Sequence, residues 1–282
     1  MSDYQEDVKQ IPWTSTGRES IACKVGRSLV PVGVLPFQPV PFAGGTPPTI
    51  SKDHPEWEKF LMYIVGTAIQ GGDHKFVTCL HVLKAIDELQ SDAYFLARLT
   101  RASDVIYMPY QLEKGLGYVD PRTGRINTDV DLAVLISSAA GTPEIPYEIP
   151  VAEWGDSAEL GVGDPVIVGG FPHGSDMFKF TKSNRGFIQP TFYHGIVSGI
   201  LPATKPGETR LIQLSVPCAG GMSGGAVFDP QNGRVLGMIT SCVHIQSVPV
   251  PIPQPMSYAI PSEIIVPFVK AITFVTKSGK KY

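Results

Sequence analysis

Short apolar runs rich in β-branched and aromatic residues recur along the chain, divided by clusters of glycine, proline, asparagine and aspartate. Runs of this kind read as strands, and the clusters between them as turns. LMYIVGTAIQ, then Gly71-Gly72-Asp73, then KFVTCL predicts a hairpin, and HVLKAIDEL (81–89) predicts a short helix directly after it. AYFLARL (93–99), DVIYM (104–108) and DLAVLIS (131–137) have strand character, with PRTG (121–124) as a turn. The pattern resumes in PVIVGGF (165–171), FYHGIVSGI (192–200), TRLIQLSV (209–216), GAVFD (225–229), RVLGMITSCV (234–243) and MSYAI (256–260). SEIIVPFVKAITFV (262–275) predicts a terminal helix, with Ser262 as candidate N-cap and Pro267 implying a kink or a late start.

Three proline-bearing stretches break this pattern. Residues 31–48 hold six prolines and read as an extended segment that is neither a helix nor a central strand. Residues 137–150 hold three and read as a linker, and SVPVPIPQP (247–255) reads as a stiff, solvated loop or a shaper of a nearby pocket. The expected organisation is a flexible segment over 1–20, a β-barrel over 21–140, a linker over 141–152, a second barrel with its terminal helix over 153–275, and a basic tail over 276–282. The pattern alone admits two packed barrels or a sandwich.

Composition narrows the function classes. The chain has 282 residues, 43% of them hydrophobic and 17% charged, which excludes a disordered chain and a coiled coil. Its 29 glycines and 26 prolines make up about a fifth of the sequence, against roughly 12% in an average protein. A formal charge of −3, with no Lys/Arg cluster before the terminal KSGKKY, leaves no footprint for nucleic acid. The longest apolar run, FLMYIVGTAI (60–69), is far short of the roughly 20 residues that span a bilayer. The polar, acidic N-terminus does not read as a secretory signal, so a cytoplasmic location is expected.

Neither the four cysteines (Cys23, Cys79, Cys218, Cys242) nor the six histidines show a metal-binding spacing, and no metal or other cofactor is expected. His173 and His194 read as turn or edge residues.

The chemistry concentrates at GGMSGG (220–225), where four glycines surround one serine. Glycines let backbone N–H groups approach a substrate oxygen without intervening side chains. By itself the hexapeptide is equally well a turn between strands. Gly221-Met222-Ser223-Gly224-Gly225 matches a G-x-S-x-G nucleophile elbow, but that motif needs a following helix and a later acid and histidine. AVFDPQNGRVLGMI reads instead as strand, turn and strand. The alternative order, His then Asp then Ser, is met by His81 at the end of a strand, Asp131 opening DLAVL, and Ser223. Taken singly, His81 reads as a structural histidine and Asp131 as a surface carboxylate, and Asp129 is an equally good acid. It is the ordered combination that points to a triad in a cleft between two lobes.

On these residues the chain resembles the trypsin-like serine peptidases of the chymotrypsin fold, and within them the HtrA/Deg type. The resemblance runs from about Tyr63 to Pro267 through GTAI…FVTCLHVL, TDVDLAVL, WGDSAELGVGDPVIVGGFPHG, LIQLSV…GGMSGGAVF and MSYAIPSE. It implies an all-β chain of two packed antiparallel six-stranded barrels with a C-terminal helix. It selects Asp131 over Asp129, because the family's acid directly precedes the Leu-Ala. Ser223 would be the nucleophile, His81 the base and then acid, and the Gly221 and Ser223 amides the oxyanion hole. Pro217 stands where trypsin-type enzymes select Lys or Arg, and with Thr240, Ser241 and Cys242 as the expected pocket wall it implies an uncharged P1 side chain. Met222 replaces the family's usual Asn or Asp, so activation through a salt bridge to a new N-terminus is not expected. Nor is the PDZ domain that usually follows in the HtrA type. A Cys218–Cys242 disulfide would resemble one that secreted relatives have at nearby positions. The implied partner is a protein or peptide substrate. The alternatives are a catalytically silent binding module and a peptidase switched on by a protein partner.

Overall fold

The computed structural model describes residues 20–34, 63–72, 74–89, 93–101, 104–112, 114–137, 149–174, 189–205, 208–245 and 252–273. The first half forms one antiparallel sheet of β1 (Leu29–Val34), β2 (Tyr63–Gly72), β3 (Lys75–Thr78), β4 (Ala93–Arg101), β5 (Asp104–Leu112), β6 (Lys114–Gly117) and β7 (Ala133–Ile136), in the order β5-β4-β1-β2-β3-β7-β6. The second half closes β8 (Pro165–Gly170), β9 (Thr191–Leu201), β10 (Leu211–Leu214), β11 (Ala226–Phe228), β12 (Val235–Ile245) and β13 (Ile252–Pro261) into a six-stranded barrel, in the order β10-β13-β12-β11-β8-β9. Helix α1 (Ile21–Gly26) precedes the sheet, α2 (Leu80–Glu88) follows β3, and α3 (Ser262–Ala271) follows the barrel. The all-β expectation holds, and the second barrel is six-stranded as expected. The first half differs in detail, because among the described residues it is a seven-stranded sheet rather than a closed six-stranded barrel.

Two hydrophobic clusters meet at the barrel wall. Val166 and Val168 of β8, Val227 of β11 and Ile239 of β12 point into the barrel with Ile212, Leu214 and Met222. Their neighbours Ile167, Ala226, Phe228 and Met238 join a second cluster with Ile69, Phe76, Val82, Leu132 and Val134 of the first half. Successive strand residues face opposite sides, so each apolar run is buried on both. This wall brings the end of β3 and the segment before β7 against the loop between β10 and β11.

Two proline expectations are corrected. Pro31 lies within β1, between β4 and β2 in the sheet, where a central strand was not expected. The strand tolerates it because pairing to β4 begins at Val32, so among the described residues the ladder partner at Pro31 is Thr67 of β2. Pro253 and Pro255 belong to β13 rather than to a solvated loop, extending the hairpin with β12 through His244↔Pro253 and Ile245↔Ile252. Pairing of β13 to β10 starts at Ser257, leaving these prolines on a free edge. The rest of both stretches, most of the expected linker, the N-terminal segment before Ser20 and the basic tail lie outside the described residues.

Helix α3 starts with Ser262 as its first helical residue, after Pro261 as N-cap, and it runs through Pro267. Its first turn is held by Glu263, which accepts from Arg210 Nη2 (2.7 Å), from Arg210 Nε and from Ser157 Oγ (2.8 Å). No helix among the described residues is long and apolar enough to cross a membrane.

Candidate active site

Helix α2 begins as soon as β3 ends, with Cys79 as its N-cap, and turns Leu80, Val82 and Ile86 into the core while His81 stays at the surface. Cys79 contributes no side-chain cap. The first-turn N–H groups of a helix have no intrahelical partner, and here Asp131 takes one of them, with His81 N donating to Oδ1 at 2.9 Å. The other carboxylate oxygen, Oδ2, lies 2.7 Å from His81 Nδ1 and also accepts from the Thr240 hydroxyl. Asp131 thus orients the imidazole and caps its helix at once, where the positive end of the helix dipole favours a negative charge. Asp129 is exposed and makes no such contact.

The Asp131 carboxyl is pushed up by burial, but the hydrogen bonds from His81 and Thr240 more than offset this and hold it below the usual aspartate value. Burial, and then the negative charge of Asp131, push the Cys79 thiol well up, and its Sγ donates to Ile239 O at 3.1 Å. The donor atoms of Cys79, His81 and Asp131 lie within 4.8 Å of one another, a proximity the sequence spacing did not indicate. The thiol is engaged at Ile239 O and the carboxylate at His81 and Thr240, so these groups form one hydrogen-bond network.

Ser223 sits in the loop joining β10 to β11. Met222, fully buried, is drawn into the barrel core, and two tight turns form around it through Met222 N to Ala219 O (3.1 Å) and Gly225 N to Met222 O (2.8 Å). These turns leave the Gly221 and Ser223 N–H groups outside the backbone hydrogen bonds of the described residues. Gly221 has φ +92°, and a Cβ there would lie 2.4 Å from Phe171 O. Gly224 has φ +88°, and a Cβ there would lie 1.9 Å from Thr67 O. Only glycine fits either place.

The loop is stitched to the strands that carry His81. Thr67 N donates to Ser223 O at 2.8 Å, and a Cβ on Gly66 would fall 2.7 Å from Val82 Cγ2 and 3.1 Å from Ser223 O. The residue after His81 and the Ser223 carbonyl therefore flank one glycine of β2. Thr67, buried and linked to Gly221, Ser223 and Phe171, was not foreseen as part of the site. A single small polar residue in VGTAI gives no sequence signal for it.

The expected pocket set divides. Thr240 is buried, and its hydroxyl donates to Asp131 Oδ2. Pro217 and Ser241 are exposed, and Cys242 is half-buried against the barrel core. Cys218 and Cys242 are free thiols. A hydrogen bond to Cys218, together with burial, pushes the Cys242 thiol up. His173 occupies a turn at φ +61°, and His194 is an exposed residue of β9.

Similar solved structures share this architecture. The HtrA-type protease AlgW with a decapeptide superposes with a TM-score of 0.55 at 17% identity, covering 89% of this chain and 66% of that one. Deg5 gives 0.54 at 20% identity, covering 88% and 89%. An inactive form of Rv3671c from M. tuberculosis H37Rv gives 0.51 at 16% identity, covering 89% of each. The chain spans slightly under two thirds of the AlgW chains it matches first. At these identities the likeness is one of fold, and no curated protein matches the chain. The model of the trypsin-like peptidase domain matches residues 66–238, which include the hairpin before His81, the Asp131 segment and the Ser223 loop, and the chain belongs to that family.

Proposed function

We propose that the chain is a serine endopeptidase that cleaves peptide bonds through Ser223, His81 and Asp131. The observation that carries this reading is the His81–Asp131 pair at 2.7 Å, facing a loop whose Ser223 carbonyl is bonded to β2 beside the His81 helix. Neutral His81, with its Nδ1 proton held by Asp131, accepts the Ser223 hydroxyl proton at Nε2 as Oγ bonds to the scissile carbonyl carbon. The resulting oxyanion rests against the Gly221 and Ser223 N–H groups, each such donor contributing about 3 kcal/mol to the transition state. The imidazolium then protonates the departing amine as the C–N bond breaks, and water repeats the sequence on the acyl-enzyme. Pro217, Ser241 and Cys242 offer no charge to a substrate side chain, which supports an uncharged P1 residue.

A fluorophosphonate probe tests the reading. Wild type labels at Ser223, while Ser223→Ala does not and His81→Ala labels far more slowly. Labelling only in the presence of cell extract identifies a partner-activated enzyme, and no labelling in either condition assigns the fold to binding. A peptide library cleaved after Arg or Lys would refute the uncharged P1 preference.

A further inference from the structure

We infer that Thr67 is a positioning residue whose hydroxyl holds the oxyanion-binding amides in place. The inference rests on the peptidase reading and names a residue outside the triad and the glycine loop. Thr67 is fully buried in β2, and all of its polar atoms are engaged around the loop. Its N–H donates to Ser223 O at 2.8 Å, and its carbonyl accepts from Thr78 Oγ1 at 2.7 Å. Its hydroxyl donates to Gly221 O at 2.7 Å and accepts from Phe171 N at 3.0 Å.

The decisive bond is the one to Gly221 O, because it fixes a peptide plane. The Gly221–Met222 peptide is held by its carbonyl to Thr67 and by its N–H to Ala219 O at 3.1 Å. The Gly221 and Ser223 N–H groups belong to the peptides on either side, so the direction in which they point follows from this plane. Rotating it would break both bonds and leave the buried hydroxyl without its acceptor, the kind of unpaired polar group that folded proteins avoid. Phe171 lies in the stretch whose carbonyl approaches the Gly221 position, so the same hydroxyl ties together three segments.

Residue 67 must be small, buried, and both donor and acceptor. Threonine and serine meet this, while valine has the shape without the hydrogen bonds. Gly170 completes the arrangement, since a Cβ there would lie 3.2 Å from Thr67 Oγ1 and 3.4 Å from Met222 Cε. Met222 is uncharged and buried in the barrel, so a neutral hydroxyl serves where a charged anchor would answer to pH or to release of an N-terminus.

The test uses the full chain as wild type, Thr67→Val, Thr67→Ser and Gly170→Ala. The second-order rate of fluorophosphonate labelling falls roughly 10- to 100-fold in Thr67→Val, less than the roughly 100- to 1,000-fold cost of removing an oxyanion donor outright, because the amides are misaligned and not deleted. It stays within about threefold of wild type in Thr67→Ser. The ³¹P resonance of the phosphonylated Ser223 moves in Thr67→Val, because the phosphoryl oxygen loses its donors, a signature that lowered stability alone would not give. Amide hydrogen exchange over 219–225 accelerates in Thr67→Val and not in Thr67→Ser. Should Thr67→Val not fold, Gly170→Ala shows the same slowing and the same faster exchange. Wild-type rate and exchange in the folded Thr67→Val or Gly170→Ala variant overturn the inference, as does equal damage from valine and serine. If the wild type is labelled neither alone nor with cell extract, the peptidase reading fails, and exchange over 219–225 still decides whether Thr67 holds the loop.

Discussion

Thr240→Val isolates the hydroxyl that donates to Asp131 Oδ2 while keeping the volume of the side chain. Asp131 is 30% exposed, it also accepts from His81 N and lies against His81 Nδ1, and its pKa lies below the usual aspartate value because hydrogen bonds to the ionised form outweigh burial. A hydrogen bond to a charged group contributes about 1.5–3 kcal/mol. Losing about 2 kcal/mol lowers the melting temperature at pH 7 by roughly 4–8 °C. The ionised carboxylate loses a donor, so the folded-state pKa of Asp131 rises. The sign of the pH dependence follows. A carboxyl with a depressed folded-state pKa adds stability that is fully present above its unfolded value near ~3.9. That stability is lost as pH falls through the folded value. The valine variant retains less of it, so the difference in melting temperature between wild type and variant is widest near neutrality and narrows below about pH 4. Thermal unfolding at several pH values between ~2 and ~7 reads this directly, with phosphonate labelling at pH 7 slowed about tenfold. A gap that stays constant with pH refutes the reasoning, because the hydroxyl would then stabilise the fold without reference to the carboxylate charge.

Gly224→Ala adds a Cβ 1.9 Å from Thr67 O at φ +88°, so labelling is lost and stability falls by at least about 1–3 kcal/mol, as chemical denaturation would measure. Glu263→Gln weakens the double contact with Arg210 at the start of α3, and the expected loss is about 2 kcal/mol with phosphonate labelling unchanged, since neither residue touches the Ser223 loop. The Glu263 carboxyl is held below its usual value first by Arg210, so its contribution is present above about pH 4.3 and disappears as pH falls through the lower folded-state value. Under native conditions iodoacetamide modifies neither Cys79 nor Cys218, both buried, and reaches them only after unfolding; rapid native modification of Cys79 would contradict its raised pKa and its bond to Ile239 O.

The strand pattern located the hairpin before His81, the helix that follows it and the glycine loop, because each is specified by neighbouring residues. It missed β6, whose sequence KGLG is glycine-rich and weak in strand formers, and which is held by pairing with β7 and by packing of Leu116 against the core. The bond from Thr240 to Asp131 is likewise out of reach, because alternation along ITSC shows that adjacent residues face opposite sides without naming the side. Its partner is 109 residues away. Thr67 is further from view, with its hydroxyl partners 154 and 104 residues distant. The proline errors have the same origin. Whether a strand has a neighbour at Pro31 or Pro253 depends on where β4 and β10 stop pairing, and nothing in the local sequence states that.

The positions of the glycines follow from how the site is assembled. β12 bonds to the Ser223 loop through Gly224 N to Ile239 O and Ile239 N to Gly225 O, and its next residue, Thr240, holds Asp131. β2 bonds to the same loop through Thr67, and Thr78, at the end of β3, bonds to Thr67 and precedes the helix of His81 by one residue. One loop therefore reads its geometry from both halves at once, through backbone groups within hydrogen-bonding reach of other backbone. A side chain at Gly66 or Gly224 would occupy the space in which those bonds form. Three of the four glycines around Ser223, namely Gly221, Gly224 and Gly225, lie where a Cβ would fall within 2.4 Å of a backbone oxygen. They permit the backbone contacts by which the sheet of the first half and the barrel of the second hold the serine in a single position, and Thr67 adds a side-chain bond to Gly221 O, in the peptide plane between the two amides.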